Sequence, residues 1–582
     1  MADTGRIVHD AIALFKRGQA AAAQQNVQRA LTRDPRHPGA NQFLAVLLAG
    51  TREYDRAKYH IARAIEAEPT FAEFYFTLAS ILSCTPDHAG AIAALERTLS
   101  LDARHVDAMI VLGTMLGDHA GAERAEAILR EALRLAPERP DTASALAKVL
   151  ADQGRADEAV TLLRETDRTT PNVPGLLSSL CLMSNYVSDD GAAILELHRR
   201  FGRAAGPEAL DEPPAAKRAE KRPLRVGYLS PDFRRHAVAC FVAGVVERHD
   251  RSRVLAHVYH TGGPVDEVTE RVRKGVPTFR LMYQASDEAL RDEIKSDGID
   301  ILVELSGHSS QHRLTALSRR LAPVQVTYVG YPATTGVSAI DWRIVDSLTD
   351  PPGAEVLCAE RLMRLPTCFL CYEPMAAMPE PSPPPSATGG PITFGSFNNP
   401  AKVSESTVSL WASLLRRLPG SRLLLKGRWL GELLASARMR RRFEAAGVEP
   451  GRVECLSEVR DATSHLELYS RIDIALDPLP YNGTTTTCEA LWMGVPVVSL
   501  VGRVHAGRVG LSLLTAAGLG EWAADSPDRY IDIASELASD RERLAALRRT
   551  LRGRVAASAL CDAATRAREM EDAYERMWSG AP

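Results

Sequence analysis

The sequence predicts a multidomain protein: an all-α repeat array followed by an α/β region made of two parallel-sheet lobes. Three observations predict it. Residues 1–174 repeat with a period of 34. From Leu224 onward, strand-like segments alternate with helical ones. That alternation breaks at a proline-rich stretch and then restarts. A chain of 582 residues also exceeds what one core organises, so several domains are expected.

The repeat comes first. Pro35, Pro69, Pro137 and Pro171 share one register, with Ala103 at the intervening position. Ala23, Ala57, Ala91, Ala125 and Ala159 hold a second. A small side chain there lets two helices approach closely, and a proline just past the second helix ends it without breaking an internal hydrogen bond. The pattern resembles the tetratricopeptide repeat, with about five units over residues 1–174. Such units bury their apolar faces only on their neighbours and stack into a superhelix with a concave face. That face is expected to hold protein or peptide acceptors. The alternative is a rigid spacer or a contact between the copies of a homodimer.

Residues 175–223 read as a connector. Gly175–Gly202 is helical in pattern but outside the 34-residue register, and Ala204–Pro223 is an exposed linker rich in Pro, Ala and charge. Residues 224–372 carry the strands LRVGYLS, DILVELSG, PVQVTYVG and WRIVDS. Residues 373–390 form a second, proline-rich linker. Residues 391–582 add ITFGSFNN, SRLLLKG, RVECLS, IDIALDP and VPVVSL, then terminal helices. Two βα runs across a break suggest two lobes and a cleft, with chemistry in the loops after the strands' carboxyl ends.

Composition excludes more than it selects. The formal net charge of −3 gives no electrostatic footprint for nucleic acid. The N-terminus, MADTGRIVHDAIALF, does not read as a secretory signal, and no run approaches the ~18 apolar residues of a membrane span. Nine scattered cysteines fit a reducing, cytoplasmic setting. Cys368 and Cys371 form a lone CxxC, read as two small apolar residues on a strand; His308 and His312 have i,i+4 spacing but no visible third ligand. No metal site is expected, no cofactor and no membrane partner.

The strongest chemical signal is DPLPYNGTTTTCEALWMGVPVVSL. A strand runs into a turn at Asn482 and Gly483, and a helix opens at Thr484, Thr485, Thr486 and Thr487. Hydroxyls and free backbone N–H groups at a helix N-terminus make a phosphate seat. Glu489, about a turn and a half further on, can reach a ribose diol. Lys402 follows the strand-like segment ITFGSFNN.

Here the chain resembles the O-GlcNAc transferase and SPINDLY family. YNGTTTTCEALWMGVPVVSL is similar to its donor-site segment, and GYLSPDFRRHAV, VQVTYVGYPATTG and FGSFNNPAKVS are similar to further motifs in the same order. The resemblance implies a GT-B architecture of two Rossmann-like lobes, with residues 224–372 the catalytic and 391–582 the nucleotide-sugar-binding lobe. It implies inverting, metal-independent transfer of a sugar to Ser or Thr hydroxyls of proteins, with UDP-GlcNAc as the leading donor. Protein O-fucosylation from GDP-fucose is the alternative within enzymes, and a non-catalytic repeat scaffold that senses nucleotide sugar is the alternative outside them.

By resemblance, His236 contacts the donor's sugar end, and His236 or Asp232 takes part in proton removal. Asn399 falls where the family often has Gln. The loop Tyr331, Pro332 and Ala333 is expected against the donor sugar, and His465 near the nucleotide. The family's uridine-contacting lysine and stacking arginine fall on Ala462 and Leu468, so base recognition does not carry over. No D-x-D pair occurs in the chain, which agrees with Lys402 and the threonine helix holding the diphosphate.

Overall fold

The computed structural model describes residues 2–119, 121–206, 222–263, 265–374, 378–459 and 461–580. Most of the expected linker at 204–223, and residues 375–377 of the second one, lie outside the described residues. The chain divides into two compact units, Met1–Leu150 and Ala151–Pro582.

The first unit is helical: α1 (Ala2–Lys16), α2 (Ala20–Arg33), α3 (Pro38–Gly50), α4 (Tyr54–Ala67), α5 (Ala72–Ser83), α6 (His88–Leu101), α7 (Val106–His119), α8 (Ala122–Leu135) and most of α9 (Pro140–Asp152). Ala23, Ala57, Ala91 and Ala125 are fully buried, as helices in close approach require. The second unit opens with α10 (Ala156–Thr169), α11 (Pro174–Val187) and α12 (Gly191–Ala205). Pro38, Ala72, Val106, Pro140 and Pro174 begin successive first helices at 34-residue steps. The segment Gly175–Gly202 is therefore a sixth helical pair in register, not a departure from it. Ala193 keeps the alanine register, but Ala205 stands where the proline would recur, which hid the continuation.

Two parallel sheets follow. The first holds β1 (Leu224–Ser230), β2 (Val254–His260), β3 (Thr278–Leu281), β4 (Ile301–Glu304), β5 (Val324–Thr327), β6 (Trp342–Asp346) and β7 (Arg361–Leu365), in the order β3-β2-β1-β4-β5-β6-β7. The second holds β8 (Thr393–Ser396), β9 (Arg422–Gly427), β10 (Val453–Ser457), β11 (Ile474–Leu476), β12 (Val497–Leu500) and β13 (Ala523–Ala524), in the order β10-β9-β8-β11-β12-β13. In both, the order reverses between the first and fourth strands of the lobe, which is the Rossmann-like arrangement and opens a crevice beyond β1/β4 and β8/β11. The expected fold class holds: a tetratricopeptide-type helical region followed by two Rossmann-like lobes. Sequence pattern did not reveal β2, β3, β7 and β13. β3 and β7 are edge strands carrying arginines, Arg280, Arg361 and Arg364, and β13 is two residues long.

Two placements differ from expectation. The last helix, Ala563–Ser579, packs on the first lobe. Tyr574 bonds Tyr228 (2.9 Å), Glu571 accepts from the Asp250 N–H (2.8 Å), and Arg253 pairs with Asp572 (2.7 Å). Cys368 and Cys371 lie beyond β7 in irregular chain, both buried, with Cys368 Sγ 3.2 Å from the Ser512 hydroxyl oxygen. Among the described residues no helix is long and apolar enough to cross a membrane.

Candidate active site

The second lobe supplies most of the site. After β11, Asp477 is buried and accepts hydrogen bonds from the Gly483 N–H (2.5 Å) and the Ser499 hydroxyl (2.6 Å). These bonds fold residues 477–483 into a tight loop that delivers the threonines. Gly483 is required there, because a Cβ would lie 2.7 Å from the hydroxyls of Thr486 and Thr487 and 2.9 Å from Asn398 Oδ1. The helix Thr485–Trp492 then starts with Thr484 at its N-cap. Its first-turn N–H groups have no intrahelical acceptor and carry the positive end of the dipole.

Lys402 ends a 3-10 turn, Pro400–Lys402, just past β8. Its Nζ donates to the Asn482 carbonyl (2.7 Å) and stands 3.9 Å from the centre of the Tyr481 ring. Burial lowers the ammonium pKa from the ordinary lysine value to about 8, against the opposing pull of Asp477. Burial raises Asp477 above the usual carboxylate range, with Ser499, Gly483 and Lys402 opposing. Asn399 is exposed, and its side-chain oxygen caps the same turn by accepting from the Ala401 N–H (3.0 Å). The neighbour Asn398 is the one facing the threonine helix: Thr486 donates to its Oδ1 at 2.8 Å.

A second cluster lies on the same lobe. His465 Nε2 is 3.1 Å from Glu489 Oε2, and Tyr469 donates to that oxygen at 3.4 Å. Lys426, at the carboxyl end of β9, meets His465 Nδ1. An ammonium can only donate there, so Nδ1 accepts and Nε2–H donates to Glu489. Burial lowers Lys426 to about 8, with Glu489 opposing. His465, Ala462 and Glu489 face Arg235 and Ala239 of the first lobe across a cavity of about 510 Å³.

The first lobe contributes the loop after β1. Asp232 is buried; His236 is half-buried, with Nδ1 3.5 Å from Asp232 Oδ1 and 3.3 Å from the Val238 N–H. Two neutral tautomers follow. Accepting from Val238 leaves the proton on Nε2, whereas a proton on Nδ1 faces Asp232 and frees the Nε2 lone pair. Burial lowers the imidazole pKa; Asp232 opposes this and Arg234 adds to it. The first helix after this loop begins at Ala239, so Asp232 is not its cap.

Residues 208–379 and 387–570 match the model of glycosyl transferase family 41, and residues 14–81 and 117–180 match a tetratricopeptide repeat model. The chain belongs to glycosyl transferase family 41. It is 41% identical over 366 residues to an Arabidopsis thaliana protein named "Probable UDP-N-acetylglucosamine--peptide N-acetylglucosaminyltransferase SPINDLY", covering 62% of this chain and 40% of that one. It is 30% identical over 368 residues to SEC of the same plant, covering 61% and 37%. The chain thus spans about two fifths of the length of the curated relatives it matches. A solved mutant of the Thermobaculum terrenum O-GlcNAc transferase superposes with a TM-score of 0.83 at 35% identity, covering 88% of this chain and 97% of that one.

In this family 41 chain the loop of Tyr331, Pro332 and Ala333 packs on the sixth helical pair. Tyr331 is buried, and its hydroxyl bonds Asn185 of α11 (2.8 Å) and His198 of α12 (2.7 Å). It locks the sixth helical pair to the first lobe. Pro332 and Ala333 line a separate cavity of about 320 Å³, shared with Arg343, Asp350 and His505. The seam explains His308 and His312 as well: both ring nitrogens facing α11 meet the Ser178 hydroxyl, at 2.9 and 2.8 Å. Cys181, His198 and His308 converge within 4.8 Å, a grouping of third-ligand type that i,i+4 spacing did not reveal. The ring nitrogens of His198 and His308 are held by the Ile194 and Thr335 carbonyls and by the Tyr331 and Ser178 hydroxyls, so the two histidines form a hydrogen-bonded seam. The helix and the loop touch closely, since a Cβ on Gly202 would sit 1.9 Å from the Gly336 carbonyl oxygen.

Sequence reasoning missed Asp477, Asn398, Lys426, Tyr469 and Tyr481. A lysine following three leucines near the carboxyl end of the strand RLLLKG was the one available signal.

Proposed function

We propose that the chain is an inverting, metal-independent glycosyltransferase that moves GlcNAc from UDP-GlcNAc to Ser or Thr hydroxyls of proteins. The observation that carries this reading is the convergence of Lys402, the N-terminus of the threonine helix and the His465–Glu489 pair beyond β8 and β11. The diphosphate sits on the helix N-terminus beside Lys402, and the ribose diol meets Glu489. The sugar then points toward His236 and Asp232 of the first lobe.

In the reaction the acceptor oxygen attacks the anomeric carbon from the face opposite the diphosphate. The bond to the β-phosphate oxygen breaks, and the electron pair leaves with the diphosphate. Lys402 and the helix N–H groups stabilise that growing charge selectively. The acceptor's proton passes to His236 Nε2, with Asp232 holding the Nδ1–H. The names of the curated relatives and of the solved O-GlcNAc transferase support the choice of UDP-GlcNAc and of peptide acceptors.

A second reading, fucose transfer from GDP-fucose, is favoured by one feature. The cavity wall carries Ala462 and the carboxylate of Asp461, which leave room and an acceptor for a purine's N–H donors. The test is a labelled-donor panel with the purified full chain and a cell lysate. Incorporation from UDP-GlcNAc is expected. Incorporation from GDP-fucose alone favours the second reading, and none from either donor overturns both.

A further inference from the structure

Helix α11 reaches both lobes at the point where Lys402 stands. Toward the first lobe, Ser178 bonds His308 and His312, and Asn185 bonds Tyr331. Toward the second, the next residue, Tyr186, stacks on Tyr481 with ring centres 5.3 Å apart and planes 18° from parallel. Tyr481 in turn presents its ring to the Lys402 ammonium at 3.9 Å, and the adjacent Asn482 carbonyl takes one of its hydrogen bonds at 2.7 Å.

A lysine ammonium on a flexible stem carries much rotamer freedom, which must be removed if it is to meet a developing charge at a fixed point. The Tyr481 ring restricts it through the negative face of its π system, an attraction that grows with desolvation. The ring itself sits on a loop, and a loop ring is fixed only by what packs on it. The Tyr186 ring, on a helix anchored to the other lobe, supplies that packing.

We propose that Tyr481 and Tyr186 are positioning residues for Lys402, so that the sixth helical pair belongs to the catalytic apparatus and not to the acceptor-binding array. Tyr186 acts through Tyr481, and Tyr481 acts through the ammonium. Any shift of the first lobe relative to the second is thereby transmitted to the cation through one stacked pair. The inference rests on the reading of Lys402 as the group that meets the leaving diphosphate.

The test uses the full chain with Tyr481→Leu, Tyr481→Phe, Tyr186→Leu, Tyr186→Phe and Lys402→Met, assayed for transfer over a range of donor concentrations up to saturation across pH. Tyr481→Leu is expected to lower kcat about 10- to 30-fold, the loss of a desolvated cation–π contact, with donor KM within about three-fold. The alkaline limb of its kcat/KM profile moves to lower pH, because the charged form loses a partner. Tyr186→Leu is expected to repeat the pattern more weakly, and both Phe variants to restore turnover and limb. Folding is verified for each by thermal melts. A role in folding alone would reduce active fraction without moving the limb. Unshifted limbs and wild-type kcat in both Leu variants, alongside a slow Lys402→Met, overturn this inference alone. A Lys402→Met enzyme with normal kcat overturns the reading beneath it. Should Tyr186→Leu fail to fold, Tyr481→Leu against Tyr481→Phe still decides whether the ring positions the cation, and an unshifted limb there overturns the proposal.

Discussion

Replacing Lys402 by methionine removes one charge while keeping the unbranched stem that fills its buried slot. One N–H of the ammonium is spent on the Asn482 carbonyl and one face on the Tyr481 ring, which leaves a donor for the departing diphosphate. The position is desolvated, so that donor acts at close to full strength. Losing a single preorganised donor of this kind costs on the order of a hundred- to a thousand-fold in turnover, about 2.7–4 kcal/mol. Donor KM should change far less, since the charge being met develops only in the transition state. The pH profile gives a second readout. With its pKa lowered to about 8, the wild-type lysine is roughly nine-tenths charged at neutral pH, and kcat/KM should fall as pH rises through about 8. In the nucleotide-bound enzyme the same limb lies higher, because the diphosphate favours the cation. The variant should lose the part of this limb that Lys402 carries and keep the part that belongs to Lys426, the other donor-site amine lowered to about 8. The assay is steady-state transfer of labelled sugar from UDP-GlcNAc between pH 6 and 9.5. Wild-type kcat in Lys402→Met would refute the reasoning.

Other outcomes follow from the same geometry. Glu489→Ala should weaken donor binding with little effect on saturated kcat, because a ribose contact is similar in ground and transition states; a kcat loss exceeding the KM change would count against it. Lys426→Met should raise donor KM about 10-fold or more by releasing His465 and Glu489, read by nucleotide titration, and unchanged affinity would remove it from the site. Activity should fall at low pH as His236 is protonated, with its midpoint below the ordinary imidazole value because burial lowers it; a midpoint above that value contradicts the proposed base. Gly202→Ala should lower the melting temperature, since its Cβ would collide with the Gly336 carbonyl, and an unchanged melt would contradict the close seam.

Much of this was legible in the sequence because the informative residues are close together along the chain. The 34-residue spacing of alanines and prolines is a local pattern, and the helices follow it. Asn482 to Glu489 form a continuous turn and helix start, so the phosphate seat could be read as a unit. What stayed hidden depends on distant partners. Asp477 reads as the end of a strand until Gly483 and Ser499 close on it. Tyr481 reads as a turn residue until Tyr186, nearly three hundred residues earlier, stacks on it. The motif of Tyr331 follows a strand, but the hydrogen-bond partners that its buried phenol needs, Asn185 and His198, come from the helical pair. The sixth pair itself was obscured because its surface packs on a lobe and no longer shows the repeat's proline.

The central claim is tested most directly by the product. The purified full chain is incubated in EDTA with labelled UDP-GlcNAc and a Ser/Thr-containing protein acceptor. Mass spectrometry then locates the sugar, and NMR of the glycopeptide reads its anomeric configuration. A hydroxyl-linked GlcNAc in the β configuration is expected, inverted from the α-linked donor and formed at an undiminished rate in the chelator. An α-linked product, transfer only after a divalent metal is restored, or hydrolysis of the donor without transfer would contradict it.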